Sequence, residues 1–262
     1  MSERVKYAVG DDGVAVLTLA RPEKRNALDP ATIDALEKRL SEAESDEGVA
    51  VILLGAEGKD FCAGADIAHL EEMVDADREE HLADARRLGD LFLHMRRLPK
   101  PIVAAVHGNA LAGGAGLAAA CDLVLASDDA YLGYPEVHIG FVPAMVMTML
   151  IRDVGEKKAF ELVARGDRIE AETAREIGLV NAVFSRHTFD QDVRAYAAEL
   201  AGRSSTAIAL SKRLLYELDD LGFADGIARG VEVNVEARQT EDCRRGMRAF
   251  LDRRRGGPQG RE

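Results

Sequence analysis

Tryptophan is absent from this chain, and only three cysteines, Cys62, Cys121 and Cys243, occur among its 262 residues. No two of them form a CxxC pair, and three are too few for a disulfide framework. A small secreted scaffold is therefore excluded, and a reducing cytoplasm is the expected setting. Positive charge is in deficit as well: 34 Lys and Arg face 46 Asp and Glu, a formal net charge of -12. A surface of that sign repels phosphate backbones, which argues against nucleic acid as the main partner. The N-terminal MSERVKYAVG is charged and has no apolar core, so no export signal is expected. Residues 101–121 lack Asp, Glu, Lys and Arg over 21 positions, but Gly, Ala, His107 and Asn109 dominate their middle. So weakly hydrophobic a stretch reads as a buried segment of a globular fold, and no membrane insertion is expected.

What is present is enough apolar material for a sizeable core: 47% hydrophobic residues against 31% charged ones, which is globular rather than disordered composition. The length suits one large domain, or a domain with a modest appendage. Basic charge gathers at the end, where residues 238–262 hold eight arginines against four acids. This reads either as a local anion or subunit contact or as a solvated tail.

GVAVLTLA (13–20) and VAVILLG (49–55) read as strands, and between them Asp29 followed by Pro30 marks a helix N-terminus. Ile33, Leu36, Leu40 and Ala43 then recur on one helical face. A charged helical stretch is expected from about Ile67 to Leu98, closed by PKP. The grammar then repeats: strand 102–106, a loop, a small-residue helix near 113–120, and strand 122–127. From Thr188 onward the pattern is helical without strands.

Two loops, FCAGADI (61–67) and ALAGGAGL (110–117), end in small residues and open helices. Such loops let a ligand approach the main chain, and the first turn of a helix offers unpaired N–H groups at the positive end of its dipole. If both amides point at one oxygen they form an oxyanion hole. The alternative is that the small residues only admit tight packing. Dinucleotide binding is a weaker reading of GAGLAA (114–119), because seven residues separate it from the preceding strand. In YLGYPEVHIGFVPAM (131–145), Glu136 stands among apolar neighbours that would disfavour its charged form and suit it to acid–base work. His107 and His138 have no ligand-spaced partners and read as structural; no metal site can be assembled.

RPEKRNALD, FCAGADI, GNALAGGAGLAAACD and GYPEVHIGFVP, in that order and continuing to GMRAFLDRRR, resemble the crotonase superfamily of enoyl-CoA hydratases and isomerases. The resemblance implies an α/β fold, a crotonase-like spiral of repeated ββα turns. Residues 1–190 would form the core and 191–262 a helical oligomerisation region. It implies an acyl-CoA thioester substrate, no cofactor beyond the coenzyme A carried by that substrate, and a homotrimer or homohexamer. The oxyanion donors would be the N–H groups of Ala65 and Gly113, with Glu136 as acid and base. Coenzyme A would lie along Lys24, Arg25 and Ala27, with Ala63, Asp66, Ile67 and Gly114 bordering it, and Phe250 and Arg253–Arg255 completing the pocket. One departure stands out: two-glutamate hydratases of the family carry a second Glu where this chain has Gly116. Enoyl-CoA hydration is the leading expectation, with Glu72, Glu79 or Glu80 as further carboxylates able to approach. Single-base 3,2-enoyl-CoA isomerisation and silent acyl-CoA binding are the alternatives.

Overall fold

The computed structural model describes residues 3–255. Its main sheet has the order β1(Val5–Val9), β2(Val14–Leu19), β3(Val51–Ala56), β4(Ile102–Val106), β6(Leu123–Ser127), β9(Ala182–Phe184). β1 and β2 form an antiparallel hairpin; every later neighbour is parallel. Parallel neighbours need long crossovers, and helices supply them. These are α1(Pro30–Ser45), then α2(Ile67–Met73) with α3(Arg78–Arg97), then α4(Gly113–Ala119), and finally α5(Ala144–Val154), α6(Glu156–Arg165) and α7(Ala171–Glu176).

A second, smaller sheet stacks β5(Asn109–Leu111), which follows β4, and β7(Tyr131–Gly133), which follows β6, with β8(Arg168–Glu170), which follows α6, antiparallel to β7. It is continued by single parallel bridges, Cys62 to Ala110 and Leu28 to Ala65. Each turn of the chain thus runs strand, short strand or bridge, helix, which is the expected spiral of ββα turns.

Alternation along the strands divides the core between two faces. Leu17, Leu19, Ile52, Leu54, Ile102, Ala104 and Val106 pack with residues of α1, α3 and α4. Val14, Val51, Leu53, Val103, Ala105 and Leu125 pack with Phe189, Val193 and Ala197 of α8(Phe189–Ala201). That second face fixes where the first compact unit ends. Helix α8 covers the sheet, so the unit closes at Ala201 rather than at residue 190. The remaining unit comprises α9(Ser205–Glu217), α10(Phe223–Gln239) and α11(Glu241–Arg255). Within it Ser204 caps α9 and donates to Asp242 at 2.7 Å, and Arg229 pairs with Glu217 at 2.7 Å.

The single helix expected over 67–98 is two. Asp77 accepts from the amides of Glu79 and Glu80 while Glu80 accepts from the amide of Asp77, a capping box that starts α3 afresh. Among the described residues no helix is long and apolar enough to cross a membrane. Residues 101–108 are instead buried in the core.

Candidate active site

The directions of two amides follow from the bonds around them. Gly64 C=O accepts from Leu28 N at 2.7 Å, and Asp66 N donates to Leu28 C=O at 2.9 Å. In a trans peptide the carbonyl and the next N–H point opposite ways, so the Ala65 N–H points away from Leu28. Likewise Ala112 C=O accepts from Gly116 N at 3.0 Å along the axis of α4, so the Gly113 N–H points out of the helix start. Among the described residues neither amide has an acceptor within the protein.

The two loops touch. A β-carbon built on Gly64 would lie 2.9 Å from Leu111 O and from the Ala112 β-carbon, and 3.4 Å from Gly113 N. Only glycine fits there, at φ +94°. Ala112 itself has φ 52° and ψ -125°, a conformation that costs an L-residue about 1–3 kcal/mol. That strained residue turns the chain from β5 into α4 and aims the next amide outward.

Glu136 is brought to this place by sheet register. Leu111 pairs with Gly133, and Ala112 N donates to Gly133 C=O at 2.8 Å, so the Pro135–Ile139 3-10 turn starts beside the start of α4. Glu136 is 8% exposed, and its Oε2 has no hydrogen-bond partner. Burial pushes its carboxyl above the ordinary range, with its own backbone N–H opposing.

Position 116 leaves no room for a second carboxylate. A β-carbon on Gly116 would meet Val146 Cγ2 of α5 at 2.4 Å and Phe92 Cζ of α3 at 3.4 Å. Glu72, Glu79 and Glu80 are all exposed; Glu80 closes the capping box, and Glu72 lies 3.8 Å from His69.

The RPEKRNALD turn is zipped to the FCAGADI loop, with Ala63 N donating to Arg25 C=O at 3.0 Å. Lys24 and Arg25 are exposed beside it, and Arg25 Nε donates to the buried Asp60 at 2.7 Å. Ile67 is 73% exposed at the start of α2. Ala27, Asp66 and Gly114 are buried and internally engaged. Ala27 C=O accepts from Arg21, Asp66 caps α2, and a β-carbon at Gly114 would strike Cys62 O at 2.3 Å. Phe250 belongs to the second unit, where the Arg254 guanidinium lies over its ring at 5.9 Å. His107 and His138 each contact a backbone carbonyl, Gly58 and Arg165. Arg21, not among the residues expected from the sequence, binds the N-cap aspartates of α1 and α2, Asp29 and Asp66; Asp29 also pairs with Arg4 at 2.6 Å.

The sequence profile described as enoyl-CoA hydratase/isomerase matches residues 10–258. The chain belongs to the enoyl-CoA hydratase/isomerase family. It is 43% identical over 241 residues to a Thermus thermophilus protein provisionally named an enoyl-CoA hydratase, covering 92% of this chain and 95% of that one. It is 35% identical to the short-chain-enoyl-CoA hydratase of Clostridium acetobutylicum, covering 92% of each. The crystal structure of an enoyl-CoA hydratase from Mycobacterium smegmatis superposes with a TM-score of 0.91 at 31% identity, over 96% of this chain and 97% of that one. These likenesses extend to both compact units and identify the spiral as the crotonase fold.

Proposed function

We propose that this enzyme hydrates a 2-enoyl-CoA thioester, with Glu136 as its one acid–base group. The observation that carries the reading is the pair of unpartnered amides, Ala65 and Gly113, on touching loops, with the turn that bears the buried Glu136, whose Oε2 has no partner, starting beside α4. A thioester oxygen received by both N–H groups could accumulate enolate charge, each donor lowering the barrier by about 3 kcal/mol. The Glu136 carboxylate takes a proton from water as its oxygen bonds to C3. The resulting carboxylic acid then returns that proton to C2, and the enolate collapses to the saturated 3-hydroxyacyl thioester. A raised carboxyl pKa favours both halves of that cycle near neutral pH.

A second reading, 3-enoyl to 2-enoyl isomerisation, draws on Val146 filling the space at Gly116. Moving a proton between two carbons needs only one base. Coenzyme A would lie along Lys24, Arg25 and the Ala63–Ile67 main chain. Phe223, Ile227, Val231 and Val235, all exposed along one side of α10, support subunit association through the second unit, as a trimer or hexamer. A cytoplasmic setting fits the same reading.

The test is a thioester panel with product identification. Loss of the enoyl absorbance of crotonyl-CoA supports hydration, and its gain from a 3-enoyl-CoA supports isomerisation. Binding without turnover across the panel would refute both and leave an acyl-CoA-binding protein.

A further inference from the structure

Helix α2 buries none of its residues, yet the amide at its root must hold a fixed direction if it is to receive an oxyanion. Burial of α2 therefore does not fix it. Two main-chain bonds to Leu28 orient the peptides on either side of Ala65, and one side chain braces that bridge. Arg21, with its side chain 12% exposed, donates from Nη2 to Asp66 at 2.8 Å and from Nη1 to Ala27 C=O at 2.8 Å, and its Nη1 also lies 3.2 Å from Asp29. Asp66 and Asp29 are the N-caps of α2 and α1. Ala27 and Asp66 flank the Leu28–Ala65 bridge, one on each strand.

We infer that Arg21 is a positioning residue for the oxyanion-binding amide of Ala65, acting as a clamp across the Leu28–Ala65 bridge. The inference rests on the oxyanion reading above. A guanidinium is suited to the task because its planar fork reaches several acceptors at fixed angles, which an ammonium cannot do. Asp66 is correspondingly held ionised: burial raises its carboxyl, and the Arg21 and Ala68 donors more than reverse this. The clamp grips both strands, so loosening it weakens the bridge whose bonds to Leu28 orient the Gly64–Ala65 peptide, while Gly113 stays fixed by α4. One donor of the pair would then miss its target.

The experiment compares Arg21→Lys, Asp66→Asn, Asp29→Asn and Glu136→Gln in the full chain, using 2,4-hexadienoyl-CoA as probe. Its conjugated absorbance moves to longer wavelength when the thioester carbonyl is polarised. Asp66→Asn keeps the N-cap, since Asn caps as well as Asp, and removes only the charge facing Arg21. Arg21→Lys and Asp66→Asn are expected to lower kcat at least tenfold, with KM changed less than threefold, and to shrink the absorbance shift. Asp29→Asn, whose carboxylate shares Arg21 but lies away from Ala65, should lower thermal stability and leave kcat and the shift intact. Retention of wild-type kcat and shift in folded Asp66→Asn would overturn the inference. So would equal losses in Asp29→Asn. Glu136→Gln separates the two levels: it should lose turnover and keep the shift. Absence of the shift in both wild type and Glu136→Gln would sink the oxyanion reading itself.

Discussion

A methyl group added at Gly116 would sit 2.4 Å from Val146 Cγ2, about 1 Å inside ordinary carbon contact. Overpacking of this kind costs about 1–3 kcal/mol, and the helix gains about 1 kcal/mol when glycine becomes alanine. Gly116→Ala alone should therefore destabilise by about 1 kcal/mol. In a Val146→Ala background the clashing atom is gone, and the nearest remaining Val146 atom, Cβ, stands at 3.5 Å. There the same substitution should stabilise by about 1–2 kcal/mol, from helix propensity and from a buried methyl worth about 0.8 kcal/mol. The sign reversal amounts to a coupling of about 2–3 kcal/mol between the positions. Urea unfolding of the four proteins, followed by circular dichroism and analysed with a common m value, measures it. Effects that add within about 0.5 kcal/mol, or stabilisation by Gly116→Ala in the wild-type background, would refute the packing argument.

Glu136→Gln should reduce turnover by about 10²–10⁴-fold, read in the enoyl-CoA assay. It should also raise stability at neutral pH. The folded pKa of Glu136 lies above its unfolded value, so stability falls as pH rises through that interval, and a neutral Gln does not suffer the loss. Below the ordinary carboxyl range the two proteins should unfold alike. Asp29 runs the other way: its burial is outweighed by the Thr32 and arginine contacts, its pKa is lowered, and its contribution should vanish as acid titrates it, so Asp29→Asn should flatten the acid limb of a stability–pH curve. Ala112→Gly should relieve the positive φ and raise the unfolding midpoint, a gain of about 1 kcal/mol. Asp77→Ala, which removes the capping box of α3, should cost about 1–2 kcal/mol in the same measurement and leave kcat unchanged.

Much of this architecture was legible along the chain. The strand at 102–106, the cap at Asp29 and the buried stripe Ile33, Leu36, Leu40 and Ala43 all follow from local periodicity and end signals, and all are present. The break between α2 and α3 was legible too, in the Asp77–Glu80 spacing, but a charged, continuous helical pattern masked it. Helix α8 could not be assigned from its own pattern. An amphipathic helix declares that one face is buried, never which surface buries it, and Phe189, Val193 and Ala197 meet Val14, Val51, Leu53, Val103, Ala105 and Leu125, all more than 60 residues earlier in the chain.

The sequence alone determined the small residues at 64, 113, 114 and 116, the carboxyl at 136, and the order of turns that makes a parallel spiral. Those are properties of composition and spacing, which short-range backbone sterics read directly. Tertiary structure alone decided what the small residues are for. Gly64 brings two main chains into contact, Gly114 admits a carbonyl, and Gly116 admits the methyl of Val146. It also decided that Arg21 spans two helix caps. A missing side chain leaves space, and only the neighbours that the fold brings from distant sequence determine whether backbone, substrate or another side chain occupies it.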